Sequence, residues 1–352
     1  MLLNLMSNDL AFPNINVIFD DSIYAVDDDK EFICHVSNRF NSNVTFPSYA
    51  ESVKLGGNPA NYNQPLNIPE TVTNLSTCLW GCYNYNHPVE LSHNVTNISQ
   101  MFFNCQKFNQ PINIPNSVNS MNGVFAMPTI GVFNSEVTLE NGIENCAGIF
   151  HTCKSINRVT NFPETVKNLS FAYYSAVNFN QPVDIPSSVV NCSNMFTAIS
   201  NYNQPVTIPN GVLDCAYMFS QGQNYNTDVI IPQSVTNTCG MFLQCFNFAA
   251  KVYFYMNHVS NAWYMFNFCN NVHDIYLYGI QNATQATRMI RNNGYSRLNI
   301  HTDENGKELL RITYLLSNGS LPTWINDDTN GCFYNSIVNL YVYNDWDGTI
   351  PS

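Results

Sequence analysis

Twelve cysteines and seven histidines are the residues of this chain best equipped to do chemistry. Thiolate and imidazole hold zinc and other soft metals, and a thiolate beside an imidazole makes a nucleophile. The tightest grouping is Cys146…His151-x-Cys153. The other histidines, His87 and His93 among them, have no partner at ligand spacing. Asp27-Asp-Asp29 could hold a cation but lacks the alternating ligands of a calcium loop, so it reads as a solvated acidic turn. Asn74-Leu-Ser, Asn97-Ile-Ser and Asn168-Leu-Ser have the form of glycosylation acceptors. No glycine-rich phosphate loop, zinc-protease motif or nucleophile elbow occurs. Without them the chain reads as no enzyme, with no cofactor and no metal site.

The positions of the cysteines say what they are for. An aromatic residue followed by Asn begins at Tyr62, Tyr85, Phe108, Phe133, Phe179, Tyr202 and Tyr225, with Ile156 substituting once. Every step is 23 residues except the 25 from Phe108 to Phe133. A fixed period of this length marks a solenoid. Numbering each coil from its aromatic, Cys146, Cys192 and Cys215 stand at position 14, where other coils have Leu75, Ile98, Met121 and Leu169. Cys82, Cys105, Cys153 and Cys245 stand at position 21. Cysteines that alternate with Leu, Ile and Met are small hydrophobes, so they read as reduced buried thiols in preference to disulfides or a metal site. The Cys146…Cys153 grouping is then two repeat positions and a stray histidine.

Within a coil, positions 5 and 7 are apolar and position 6 is mostly polar, a period of two that predicts a short strand with one buried face. Pro at position 8 ends it by removing a ladder donor. Val or Ile holds position 11, Asn mostly holds position 13, and Met-Phe at positions 17 and 18 (Met195-Phe196, Met218-Phe219) closes the far side of the core. Stacked Asn side chains can bond backbone in their own turn and in the next coil, so the sequons read as ladder positions. The triplet extends to Val44-Thr-Phe46, Val252-Tyr-Phe254, Ile275-Tyr-Leu277, Leu298-Asn-Ile300 and, after a longer excursion, Leu340-Tyr-Val342. Gln285–Arg291 and Lys307–Leu316 have helical spacing, which predicts helices on the outer side of the last crossovers. Residues 1–39 do not fit the period. Their expected strands, Asn16–Phe19 and Phe32–Val36, suit an N-terminal cap or docking segment, followed by repeats over 40–271 and longer repeats with a cap over 272–352.

Composition narrows the function classes. The 352 residues are 45% hydrophobic but only 11% charged, with net charge −12 and pI near 4.8. Nucleic-acid binding needs clustered Lys and Arg, so no nucleic acid is expected. No run of 18 apolar residues exists, which argues against membrane insertion, and the start has no basic region or long apolar core of a secretory signal. Synthesis into a reducing cytosol is the expectation.

Ile231-Pro-Gln-Ser-Val-Thr-Asn237 followed by Met241-Phe-Leu-Gln-Cys245 resembles the BspA-type (Treponema-type) leucine-rich repeat of 23 residues. Phe108-Asn-Gln-Pro111 and Phe179-Asn-Gln-Pro182 also resemble repeats of phages and mycoplasma surfaces. Met-Phe replaces that family's Ala-Phe, and Asn-Cys or Asn-Leu its Ile-Gly. The resemblance covers about residues 40–270. It implies a mainly β, right-handed leucine-rich-repeat solenoid with a parallel sheet, short helical turns and α-helical crossovers near the C-terminus. It also implies adhesion or receptor recognition, and it supplies no site residues. Those are sought among the outward sixth positions. Strands stacked at about 4.8 Å would give a sheet on the order of 50 Å long. Its last third presents Ile230, Tyr253, Tyr276 and Tyr341, a candidate ligand-binding ladder for a sugar or a protein hot spot. A C-terminal cap, a neighbouring subunit or plain strand preference accounts for the same rings. The expected function is a phage virion component, a tail tip or receptor-binding protein assembled in the host cytoplasm. Its partners would be host surface polysaccharide or protein, other virion proteins through residues 1–39, and further copies in a homo-oligomer. A cell-surface adhesin and an intracellular scaffold are the alternatives.

Overall fold

The structure, a computed structural model, describes residues 31–35, 40–280 (without 42, 47, 57, 58, 130 and 270), 289, 298–303, 306 and 338–342. It divides into two compact units, Met1–Glu140 and Asn141–Ser352. Both are built from the same parallel-β coil, about 11 turns in all. A single coil cannot bury its apolar side alone, and stacking on the next coil supplies the core.

In the first unit, β1 (Glu31–His35) pairs in parallel with β2 (Ser52–Gly56), Phe32 lying opposite Val53. Ser52 then bridges Asn74, Asn74 bridges Asn97 and Asn97 bridges Ser120. This column runs along position 13, and β1 extends it below residue 40. A second column, along position 6, holds the Thr45–Asn67 bridge and the pair β3 (Ile112–Ile114) with β4 (Val137–Leu139). β3 and β4 are each buried, exposed, buried, as the two-residue alternation requires.

The second unit repeats both columns. Bridges link Asn145, Asn168, Asn191, Asp214, Asn237 and Asn261 in turn. The strand column widens into a five-stranded parallel sheet of β5 (Val229–Ile231), β6 (Val252–Tyr255), β7 (Asp274–Tyr278), β8 (Leu298–Thr302) and β9 (Val338–Val342), in that order. At β8 the register departs from the sequence expectation. Ile275 pairs with Ile300, not Leu298, so Asn299 faces Asp274 and His301 takes the outward place beside Tyr276. Ile300 is fully buried, while Asn299 donates through Nδ2 to Asp274 Oδ1 at 2.9 Å. Satisfying both groups fixes the step at 25 residues. The expected helical crossovers, Gln285–Arg291 and Lys307–Leu316, and the expected strand Asn16–Phe19 lie outside the described residues. Coils between 40 and 280 hold turns and no helix among the described residues.

The core is two interleaved aromatic columns. Position-1 rings stack coil on coil: Tyr62 on Tyr85 at 6.0 Å and 1° in the first unit, Tyr202 on Tyr225 at 6.0 Å and 3° in the second. Position-18 rings slot between them, Phe102 lying 4.0 Å from Phe108 and Phe219 lying 4.1 Å from Tyr225. The Asn after each aromatic stitches the coils. Its Oδ1 accepts the N–H of the equivalent residue one coil on: Asn86 to Asn63 at 2.9 Å, Asn203 to Asn180 at 2.9 Å and Asn226 to Asn203 at 2.8 Å. The position-13 Asn works within its own coil, its Oδ1 accepting the N–H two residues ahead (Asn74 from Ser76, Asn168 from Ser170, both 3.0 Å). That is an Asx turn, and it occupies the sequon side chains.

Candidate functional site

The strand column of the second unit begins with Ile230, which is 47% exposed. Tyr253 and Tyr276 follow in register, and each is only 8% exposed. The exposed aromatic ladder is therefore corrected at these two residues. Their rings stack at 4.6 Å, and Tyr276 stacks on His301 at 4.0 Å and 10°, so both faces of Tyr276 and one face of Tyr253 are taken. Tyr341 pairs with His301 in β9, and its side chain lies outside what is described. His301 Nε2 is 3.0 Å from Asp274 Oδ1. Burial opposes the charge on Asp274, but hydrogen bonds from His301 and Asn299 outweigh it and hold the carboxyl below its ordinary range. The column is a packed, hydrogen-bonded stack with Ile230 at its open end. His301 was missed because the extrapolated period put Asn299 in its place. The trace was present in the polar residue preceding each apolar triplet, Asp274, Asn299 and Asn339.

Open aromatic surface lies instead on the turn side of the coils, at positions 15 to 20. Each turn alternates two kinds of N–H. In the second unit Tyr217, Phe219 and Gln221 donate to Cys239, Met241 and Leu243 of the next coil at 2.8, 2.9 and 2.7 Å. Met218 and Ser220 close turns on the residues three back. The geometry needs left-handed backbone at positions 16 and 20, and thirteen non-glycine residues adopt it, with φ between 54° and 60°. Each costs about 1–2 kcal/mol for an L-residue. The bond to the next coil holds it there.

The side chains leaving these turns include Phe171 at 39%, Trp263 at 46% and Phe268 at 38% exposure. His151 leaves the same side and stacks on Tyr174 at 4.9 Å and 8°. Burial lowers the pKa of His151 below its ordinary value, so it is neutral near pH 7. Cys146 and Cys153 are fully buried and face the core, which separates them from His151. The first unit has Trp80 at 40% exposure, stacked on Phe103 at 5.7 Å. Reading the sequence for function at position 6 passes over these positions, although their variation in residue type from coil to coil is visible there.

The ten cysteines whose side chains are described are free, and nine of them are buried. Burial pushes the thiols of Cys78, Cys146, Cys153 and Cys192 up to about 12. They are protonated and unreactive at neutral pH. The position-21 thiols also make polar contacts with the preceding coil. Cys105 Sγ donates to Leu79 O at 3.0 Å, and Cys245 Sγ donates to Phe219 O at 2.9 Å. Among the described residues no group of three His, Cys, Asp or Glu is placed to hold a metal. No helix among them is long and apolar enough to cross a membrane.

The fold is shared with a solved structure. A leucine-rich repeat protein from Bacteroides ovatus aligns over 81% of this chain and 76% of its own, with TM-score 0.52 and 16% identity. A leucine rich cell surface protein from Faecalibacterium prausnitzii aligns over 83% and 96%, with TM-score 0.29 and 15% identity. No curated protein matches. The family described as "Mycoplasma protein of unknown function, DUF285" matches residues 62–161, 144–231 and 210–304. With its coils folded as BspA-type leucine-rich repeats, the chain belongs to that family.

Proposed function

We propose that this protein is a non-enzymatic recognition protein, and that it serves in a phage virion as a tail-tip or receptor-binding component contacting the host cell surface. The observation that carries the recognition reading is the division of labour within the coil. Recurring residues are consumed by stacking, and the turn positions that vary in type leave aromatic rings in solvent. The free, buried thiols suit assembly in a reducing host cytoplasm before release. Residues 1–39 would dock to other virion proteins, copies would associate in a symmetric homo-oligomer, and host surface polysaccharide or protein would be the target.

The family's description as a Mycoplasma protein favours the second reading, a cell-surface adhesin. Density-gradient fractionation of a lysate, blotted for the protein, separates the two. Co-sedimentation with particles is expected. Recovery on the surface of intact uninfected cells, with none on particles, would replace the virion by the adhesin.

A further inference from the structure

The turn side of the coils is uniformly neutral. Nine coils begin at Tyr62, Tyr85, Phe108, Phe133, Ile156, Phe179, Tyr202, Tyr225 and Phe248; the last has one extra residue before position 13. In all nine, positions 15, 16, 19 and 20 contain no Asp, Glu, Lys or Arg. The same coils carry Glu90, Glu144, Glu164, Lys167 and Asp184 at strand and corner positions, so the turn positions are neutral in coils that hold charge elsewhere. Between the rings stand mainly Ser, Thr, Asn, Gln and Ala.

In the second unit one of these rings, Tyr217, is also fixed in place. Tyr217 lies across Gly240, where a Cβ would run into its ring, and its hydroxyl meets Cys239 Sγ at 3.5 Å. Gly240 sits at the left-handed position with φ 59°, so glycine there relieves the backbone and makes room for the ring. Two coils further on, Trp263 and Tyr264 return to the same side.

We infer that the turn face of the second unit binds a neutral glycan, its sugar rings seated on Phe171, Tyr217 and Trp263. This rests on the recognition reading above and names its ligand class. Aromatic rings accept the C–H face of a pyranose, and neighbouring amides and hydroxyls exchange hydrogen bonds with its hydroxyls. A polyanion would meet a chain of net charge −12 with no cation on this face. A protein partner is less well matched. Protein interfaces enrich Arg among their anchors, and these positions hold none.

The test is affinity electrophoresis of the full-length protein in gels containing dextran, mannan, galactan or xylan. At least one is expected to retard the wild type and Ile230→Ala equally. Phe171→Ala, Tyr217→Ala and Trp263→Ala are each expected to weaken that retardation about tenfold. Phe171 and Trp263 are exposed, so Tm should not move for those two. The inference is overturned if none of the four polysaccharides retards the wild type, or if all three variants are retarded as strongly. A wild type that ignores all four yet adheres to intact bacterial cells defeats this inference and leaves recognition standing. One that adheres to neither defeats both.

Discussion

Tyr202 shows what the repeat asks of a single residue. It is 1% exposed, its ring is 5.7 Å from Phe179 and 6.0 Å from Tyr225, and its hydroxyl finds no partner among the described residues. Burial raises its pKa well above the ordinary tyrosine value. Phe fills the same column position at 108, 133, 179 and 248. Removing an unsatisfied buried hydroxyl while keeping the ring should stabilise, so Tyr202→Phe is expected to gain about 1 kcal/mol in chemical denaturation. A loss of similar size would show that the hydroxyl has a bonded water or another partner. The aromatic column was plain in the sequence because its spacing is regular. The left-handed turn residues were not. Their trace was Gly at position 16 or 20 in only some coils (Gly81, Gly123, Gly148 and Gly240), while Thr77, Phe171 and Tyr217 adopt the same backbone without advertising it.

Between coils, the Asn after each aromatic is the fastener. Asn203 accepts the Asn226 N–H at 2.8 Å, and only its carbonyl oxygen is needed. Asn203→Ala should cost about 1 kcal/mol, and Asn203→Asp, which keeps the acceptor, should cost less. Equal costs in urea melts would mean the bond carries no stability. Gly240 tests the turn in the same way. Gly240→Ala adds left-handed strain and a collision with Tyr217, for a loss of about 2 kcal/mol or more. In a Tyr217→Ala background only the strain remains, so a double-mutant cycle should show coupling of about 1 kcal/mol. Zero coupling would place the ring elsewhere. At this scale the sequence was legible wherever the period held, through β5, β6 and β7. It failed at β8, where the 25-residue step is set by Asp274 meeting Asn299 and His301, contacts that no periodicity encodes.

Across the whole molecule, low charge and high hydrophobic content fit a surface made of repeated amides and rings. The solenoid could be foreseen because stacking constrains the buried residues. The binding surface could not, because alternation along the strand drew the eye to position 6. There, burial closes Tyr253 and Tyr276 and leaves Ile230 open. The central claim is that the turns form a hydrogen-bonded, preorganised face and not a set of loose loops. Amide hydrogen exchange tests it most directly. Peptides covering 216–221 and 239–244 should be protected as strongly as β5, β6 and β7, since alternate N–H groups there bond to the next coil. Exchange in those peptides at the rate of open loops would contradict the account.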